Sequence, residues 1–255
     1  MNEHHRRLLE EEQKRIKLQR KKNTRMSRLI LAMGVFCFSL SCLVGVMVTI
    51  DPLEKKEQAT AAGSETAPPD EEDGSWATIL INRDNYLSAD FTVDLQQLGD
   101  IRVDYRIADA LQSMIDAAAA DGITLLPCSG YRNVSEQRTL YENKCAEFAS
   151  QGYAEEAAKI YANQYLQPPG ASEHHTGLAV DFLTTGASAL DQSFAETPAY
   201  QWLSKNAAAY GFIERYPSGK DKATGILWEP WHFRYVGKTN AKAMISMGVC
   251  LEEYV

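Results

Sequence analysis

The chain has 255 residues, 45% hydrophobic and 24% charged, with a net charge of −8, enough for one sizeable domain plus accessory segments. Its two parts differ in sign: residues 1–28 hold ten Lys/Arg against four Asp/Glu, a balance of +6, and the remainder holds sixteen against thirty, or −14. The acidic remainder excludes nucleic acid and anionic membrane surfaces as partners, and the absence of GxGxxG and GxxxxGK[ST] leaves a nucleotide site without support.

In chain order, the basic stretch 1–28 reads as a cytoplasmic tail. Residues 29–50 follow without a single charge, long enough to span about 30 Å of hydrocarbon as one helix. The flanking Lys21, Lys22, Arg25 and Arg28 keep that flank cytoplasmic and predict an extracytoplasmic C-terminal part, single-pass in the cell membrane. A cleaved signal peptide is the competing reading, but its apolar core is typically about 7–15 residues. A lipoprotein site at Cys42 is a poor match because Ser39 stands where an aliphatic residue is usual. Residues 51–75, with the run Asp70-Glu71-Glu72-Asp73, are too polar to fold and read as an acidic, Pro-containing linker.

Compact structure is expected over 76–255, beginning with a strand at 77–81. Ile107, Leu111, Met114 and Ala118 recur at helical spacing between a cap at Asp104 and a stop at Gly122. Residues 123–128 read as a buried strand. Asn133, with Glu136 three residues on, caps a helix running to about Ala149. A third helix near 154–166 closes at Pro168-Pro169-Gly170, and Thr197-Pro198 opens a fourth that Gly211 ends. Residues 224–237 are aromatic and extended, and a short helix near 240–247 stops at Gly248. This irregular alternation predicts an α+β domain with a small, mainly antiparallel sheet and flanking helices, preceded by one transmembrane helix. Of five cysteines, Cys128, Cys145 and Cys250 lie in the domain. Three thiols allow at most one bridge, and burial as small apolar residues accounts for them equally well.

Two runs carry the chemistry: Ser172-Glu173-His174-His175-Thr176-Gly177-Leu178-Ala179-Val180-Asp181 and Glu229-Pro230-Trp231-His232. Singly, each candidate has an ordinary structural role. Together they offer two imidazoles and a carboxylate for three positions of a tetrahedral zinc, leaving the fourth for water, with a further carboxylate as general base. Gly177 and Ala179 are small, as a crowded site requires, and Trp228, Trp231 and Phe233 are expected to wall the second run. His174 and His175 point opposite ways on an extended strand, so only one can face an ion. Pro230 makes 229–232 a poor helix interior, which sets this site apart from helical HExxH centres.

The arrangement resembles the VanY-type D-alanyl-D-alanine carboxypeptidases, zinc peptidases of the superfamily that includes lysostaphin-like enzymes and the hedgehog signalling domain. Ser172, His174 and Asp181 match the signature Ser-x-His-(x)6-Asp, and Glu229 and His232 match Glu-x-x-His. Ser-Gly-Tyr-Arg ending at Arg132, with Gln137 five residues later, matches a third element; Arg215-Tyr216-Pro217 is similar as well. The likeness implies Zn2+ on His174, Asp181 and His232, and Glu229 as the base. It implies Arg132, assisted by Gln137 and Ser172, as the grip on the substrate's terminal carboxylate, a role that suits a bidentate guanidinium. The implied substrate is a peptidoglycan stem peptide or precursor ending in D-Ala-D-Ala. The alternatives are a D-Ala-D-Ala dipeptidase, an L-Ala-D-Glu endopeptidase and a non-catalytic, zinc-containing wall-binding module. His175 is read as a residue of the rim or of the layer behind the ligands.

Overall fold

The computed structural model describes residues 74–255 apart from Ser188. The predicted tail, the membrane helix over 29–50 and nearly all of the linker lie outside the described residues. Among the described residues no helix is long and apolar enough to cross a membrane.

A hairpin that the sequence reading passed over comes first. Gly99 (φ 57°) and Asp100 turn the chain between β1 (Leu95–Leu98) and β2 (Ile101–Asp104), a two-residue loop in which glycine supplies the positive φ. Asp104 then accepts from the backbone N–H of Arg106 and caps α1 (Tyr105–Ala120). The apolar stripe of α1, Ile107, Ala108, Leu111, Met114 and Ala118, is fully buried, and each of its larger side chains contributes about 1.5–3 kcal/mol.

Four further strands form one antiparallel sheet: β3 (Leu126–Ser129), β4 (Ala179–Leu183), β6 (His232–Tyr235) and β5 (Phe212–Glu214), in that spatial order. Strand β3 is an edge, and Leu126 is exposed, so the expectation of a buried strand there is corrected. Val180 and Phe182 of β4, Phe233 and Tyr235 of β6, and the stripe of α1 share one core with Leu203 of α4 (Pro198–Asn206). The period-2 alternation of a strand sends the intervening residues, Asp181, His232 and Arg234, to the other face.

The caps fall where the sequence places them. Asn133 and Glu136 form a reciprocal capping box on α2 (Val134–Ser150). α3 (Glu155–Ala162) is shorter than expected. Pro198 starts α4 behind the Thr197 cap, and after a 3-10 turn Gly211 (φ 89°) ends the run. Two short helices, α5 (Asp221–Thr224) and α7 (Leu251–Tyr254), were not foreseen; α6 (Lys238–Met247) stops at Gly248 as expected.

The predicted strand over 77–81 does not form. The carbonyls of Ala77 and Ile79 accept instead from Nη2 of the buried Arg234, at 2.9 and 3.0 Å, so side-chain bonding takes the place of a ladder. Cys128, Cys145 and Cys250 are all unbridged.

Candidate active site

Sheet register builds the centre. Asp181 of β4 lies directly opposite His232 of β6, so both side chains project from one face of adjacent strands. Asp181 Oδ1 is 3.0 Å from His232 Nδ1, and its Oδ2 is 3.3 Å from His174 Nε2. One ligand atom from each of the three lies within 4.8 Å of the other two. Tetrahedral ligands about 2.0–2.1 Å from a zinc ion sit roughly 3.3 Å apart, so a small contraction brings the set to bonding distance. All three residues are 4% exposed, and Asp181 Oδ1 lacks a hydrogen-bond partner. An orphaned carboxylate oxygen in so dry a place fits a cation held beside it.

His174 sits in a 3-10 turn, Glu173–Thr176, rather than on the expected strand. Thr176 Oγ1 donates to the Glu173 carbonyl and accepts from the Leu178 N–H, which closes the turn on itself. Gly177 (φ 71°) ends it, and a Cβ there would lie 2.6 Å from the Asp104 nitrogen, so only glycine seats the turn against the start of α1. The turn also decides between the two histidines. His174 Nδ1 is 2.7 Å from the Gly130 carbonyl, which fixes that nitrogen as the donor and leaves Nε2 to face Asp181. His175 points elsewhere: its Nδ1 lies 2.6 Å from the Arg132 carbonyl and its Nε2 accepts from the Gly170 N–H.

Charge is distributed unevenly among the four groups. Burial opposes ionisation of Asp181, but the imidazoles of His174 and His232 hold it well below the usual carboxylate range. Burial lowers His174. The same burial is outweighed at His232, where the carboxylates of Asp181 and Glu173 push the ring up to about 9; binding of a metal there releases that proton. Glu229 is the opposite case. Burial pushes its carboxyl up to about 8, within reach of neutral pH, as a general base needs. It lies 3.8 Å from His232 Nδ1, held by a turn in which the His232 N–H donates to the Glu229 carbonyl with Pro230 at the second position.

A cleft of about 250 Å3 opens over the centre and is lined by all seven residues singled out from the sequence: Arg132, Gln137, Ser172, His174, Asp181, Glu229 and His232. Arg132 Nη1 donates to Gln137 Oε1 (2.7 Å) and Nη2 to Ser129 Oγ (2.8 Å), leaving further N–H groups for a ligand. Gln137 Nε2 in turn donates to the Gln167 carbonyl. Arg132 is therefore a braced group beside the centre, not an ordinary surface cation. The Gln167 amide, 4% exposed with neither side-chain atom partnered in the protein, also lines the cleft.

Of the three expected aromatic walls only Trp231 lines it. Phe233 is on the opposite face, in the apolar core, as strand alternation dictates. Trp228 donates to Glu214 Oε1 at 2.6 Å. The sequence reading gave no role to Glu173, Arg215, Tyr216 or Arg234, which are all buried beside the centre. The Tyr216 ring stands 4.9 Å from that of His232. Arg234 was legible through alternation, two residues after His232 on the same strand.

Residues 100–238 match the model of the VanY family, described as D-alanyl-D-alanine carboxypeptidase. The chain belongs to that family. It is 40% identical over 203 residues to a D-alanyl-D-alanine carboxypeptidase of Enterococcus faecalis (strain ATCC 700802 / V583), covering 79% of this chain and 73% of that one. Among solved structures it is similar to a vancomycin-resistance D,D-pentapeptidase VanY from a VanB-type cassette in complex with Zn(II), with 42% identity and a TM-score of 0.64, covering 70% of this chain and 98% of the other. VanYB in complex with D-alanine-D-alanine is as similar, with 42% identity, a TM-score of 0.65, and 70% and 97% coverage. The VanY family is thus matched in sequence, in fold and in the α+β arrangement expected.

Proposed function

We propose that the chain is a zinc-dependent DD-carboxypeptidase that removes the C-terminal D-alanine from peptidoglycan stem peptides or precursors. The carrying observation is the grouping of His174, Asp181 and His232 within 4.8 Å, with Glu229 and a braced Arg132 on the same cleft. Zinc on that set would polarise the scissile carbonyl and bring the pKa of a water towards ~7. Glu229 would take a proton from that water and pass it to the departing amine. Arg132, seated on Gln137 and Ser129, binds the terminal carboxylate, with Ser172 beside it. The Gln167 amide offers a donor and an acceptor to a peptide group of the stem.

The anchor at 29–50, the spacer at 51–75 and an extracytoplasmic domain over 76–255 belong to the same reading. The basic flank and the uncharged run support it, and a substrate outside the membrane gives it purpose. Protease treatment of intact cells expressing the chain tests it: degradation of the domain is expected, and protection would overturn the orientation.

The activity is tested with the full chain, zinc and a stem pentapeptide ending in D-Ala-D-Ala, with products read by mass. Loss of one alanine is expected, with abolition by a chelator and recovery on adding zinc. Release of the dipeptide, or a cut after the first L-alanine, would replace the assignment with one of the other two peptidases. Bound zinc without cleavage would replace it with a binding module.

A further inference from the structure

The buried carboxylate beside His174 has no place in the reaction as described, yet two fully buried arginines brace it. Glu173 has no exposed side-chain surface. Its Oε1 accepts from Arg215 Nε at 2.7 Å and Arg234 Nη1 at 2.6 Å. Both arginines are themselves pinned. Arg215 makes two bonds to Glu252, at 2.8 and 2.6 Å, and Arg234 donates to the carbonyls of Ala77, Ile79 and Tyr235. All of this effort falls on one oxygen. Oε2 has no partner and lies 3.7 Å from His232 Nε2, which has none either.

We propose that Glu173 is a positioning residue of the metal centre, its Oε2 accepting the Nε2–H of His232 and so presenting Nδ1 of that ring to the ion. The inference rests on the zinc reading above. His232 Nδ1 is the nitrogen that faces Asp181 and Glu229, so Nε2 must carry a proton when the ring binds metal. A buried N–H without an acceptor costs about 1–3 kcal/mol, and Glu173 Oε2 is the acceptor placed to take it. Ligating imidazoles are commonly fixed through their second nitrogen by a carboxylate. The two arginines, both on Oε1, stop the carboxylate from rotating and keep Oε2 on the ring. One 3-10 turn thereby supplies a ligand, His174, and the orientation of another, His232.

The competing account is that Glu173 only neutralises Arg215 and Arg234. Glu173→Asp separates the two, because it keeps the charge and shortens the reach by one methylene. Zinc affinity is read by competition with a chromophoric chelator, the Co(II) d–d spectrum reports ligand geometry, and 1H–15N correlation of the His232 ring reports the proton on Nε2. In the wild-type chain we expect a slowly exchanging Nε2–H shifted downfield. In Glu173→Asp that signal exchanges rapidly, the Co(II) bands shift, and zinc affinity falls about 10–100-fold while thermal unfolding stays cooperative.

Wild-type affinity and an unchanged His232 resonance in Glu173→Asp would overturn the proposal and leave charge balance as the role. If the variant does not fold, the wild-type ring alone decides: an Nε2 without its proton in the zinc-loaded chain overturns the proposal, and a protected one sustains it. Failure of the wild-type chain to bind zinc overturns the zinc reading itself, a result distinct from any of these.

Discussion

Along β4 and β6, Val180, Phe182, Phe233 and Tyr235 enter one face of the sheet while Ala179, Asp181, His232 and Arg234 enter the other, and none of the eight is more than 4% exposed. The two faces are equally dry and reach that state by opposite means. The apolar face gains from every square ångström removed from water. The polar face gains little from burial, since each charge taken out of water costs several kcal/mol unless it is paired. It persists because its groups are matched: Arg215 and Arg234 against Glu173 and Glu252, and the two imidazoles against Asp181. One face therefore serves stability and the other function, and substitutions on each should fail in different ways.

The largest effect is expected on the polar face. Glu229→Gln should lower kcat by about 10²–10⁴ with zinc content unchanged by metal analysis; activity near wild type would remove Glu229 from the reaction. On the apolar face Phe182→Ala should cost about 3–5 kcal/mol in denaturant unfolding, yet the folded fraction should bind one zinc as before. Loss of zinc from that folded fraction would mean that the faces are not separable. Arg132→Ala should weaken transition-state binding by about 1.5–3 kcal/mol for peptides with a free C-terminal carboxylate, seen in kcat/KM. An equal loss on amidated peptides would show that Arg132 does not read that group.

The smallest effect concerns Glu214, at the edge of the sheet. Burial raises its pKa although Trp228 and Tyr200 donate to it. The folded state then holds the proton more tightly than the unfolded one. This contribution to stability is complete below the ordinary value of 4.5 and is lost as pH rises through the raised value. Glu214→Gln keeps an acceptor and removes the titration. Thermal melts from about pH 4 to pH 8 should show the wild type losing ground to the variant as pH rises; parallel curves would rule out the raised pKa.

The sequence disclosed local elements well where chemistry is local. The α1 stripe, the Asn133–Glu136 box and the Thr197-Pro198 start are written within a few residues of one another, and each forms as read. The Gly99-Asp100 hairpin has strands of only four residues each, too short for their alternation to stand out in the sequence. The strand predicted over 77–81 was lost to a distant cause, the guanidinium of Arg234 taking its carbonyls. At the site, residue types and spacing singled out the imidazoles and carboxylates, the family resemblance added Arg132, Gln137 and Ser172, and the Gln167 amide went unread. What spacing could not convey was the support: Glu173 sits beside His174 and reads as one more acid until Arg215 and Arg234, far along the chain, close on it. The opposed directions of His174 and His175 were expected from strand alternation, whereas a 3-10 turn produces them.

One consequence follows from the turn that joins Glu229 to His232. Pro230 holds its φ near about −65°, and the closing bond between Glu229 and His232 makes acid and imidazole a single stiff piece of backbone. Neither can be retuned without carrying the other along. Variation that altered their separation would spoil two tasks at once, so selection would conserve the piece whole or discard it. Freedom to diversify lies instead in cleft-lining residues that have no task in the reaction as described, Leu140 and Lys144 of α2, together with Tyr165 and Leu190. The fold thus separates what lineages must inherit from what they can explore.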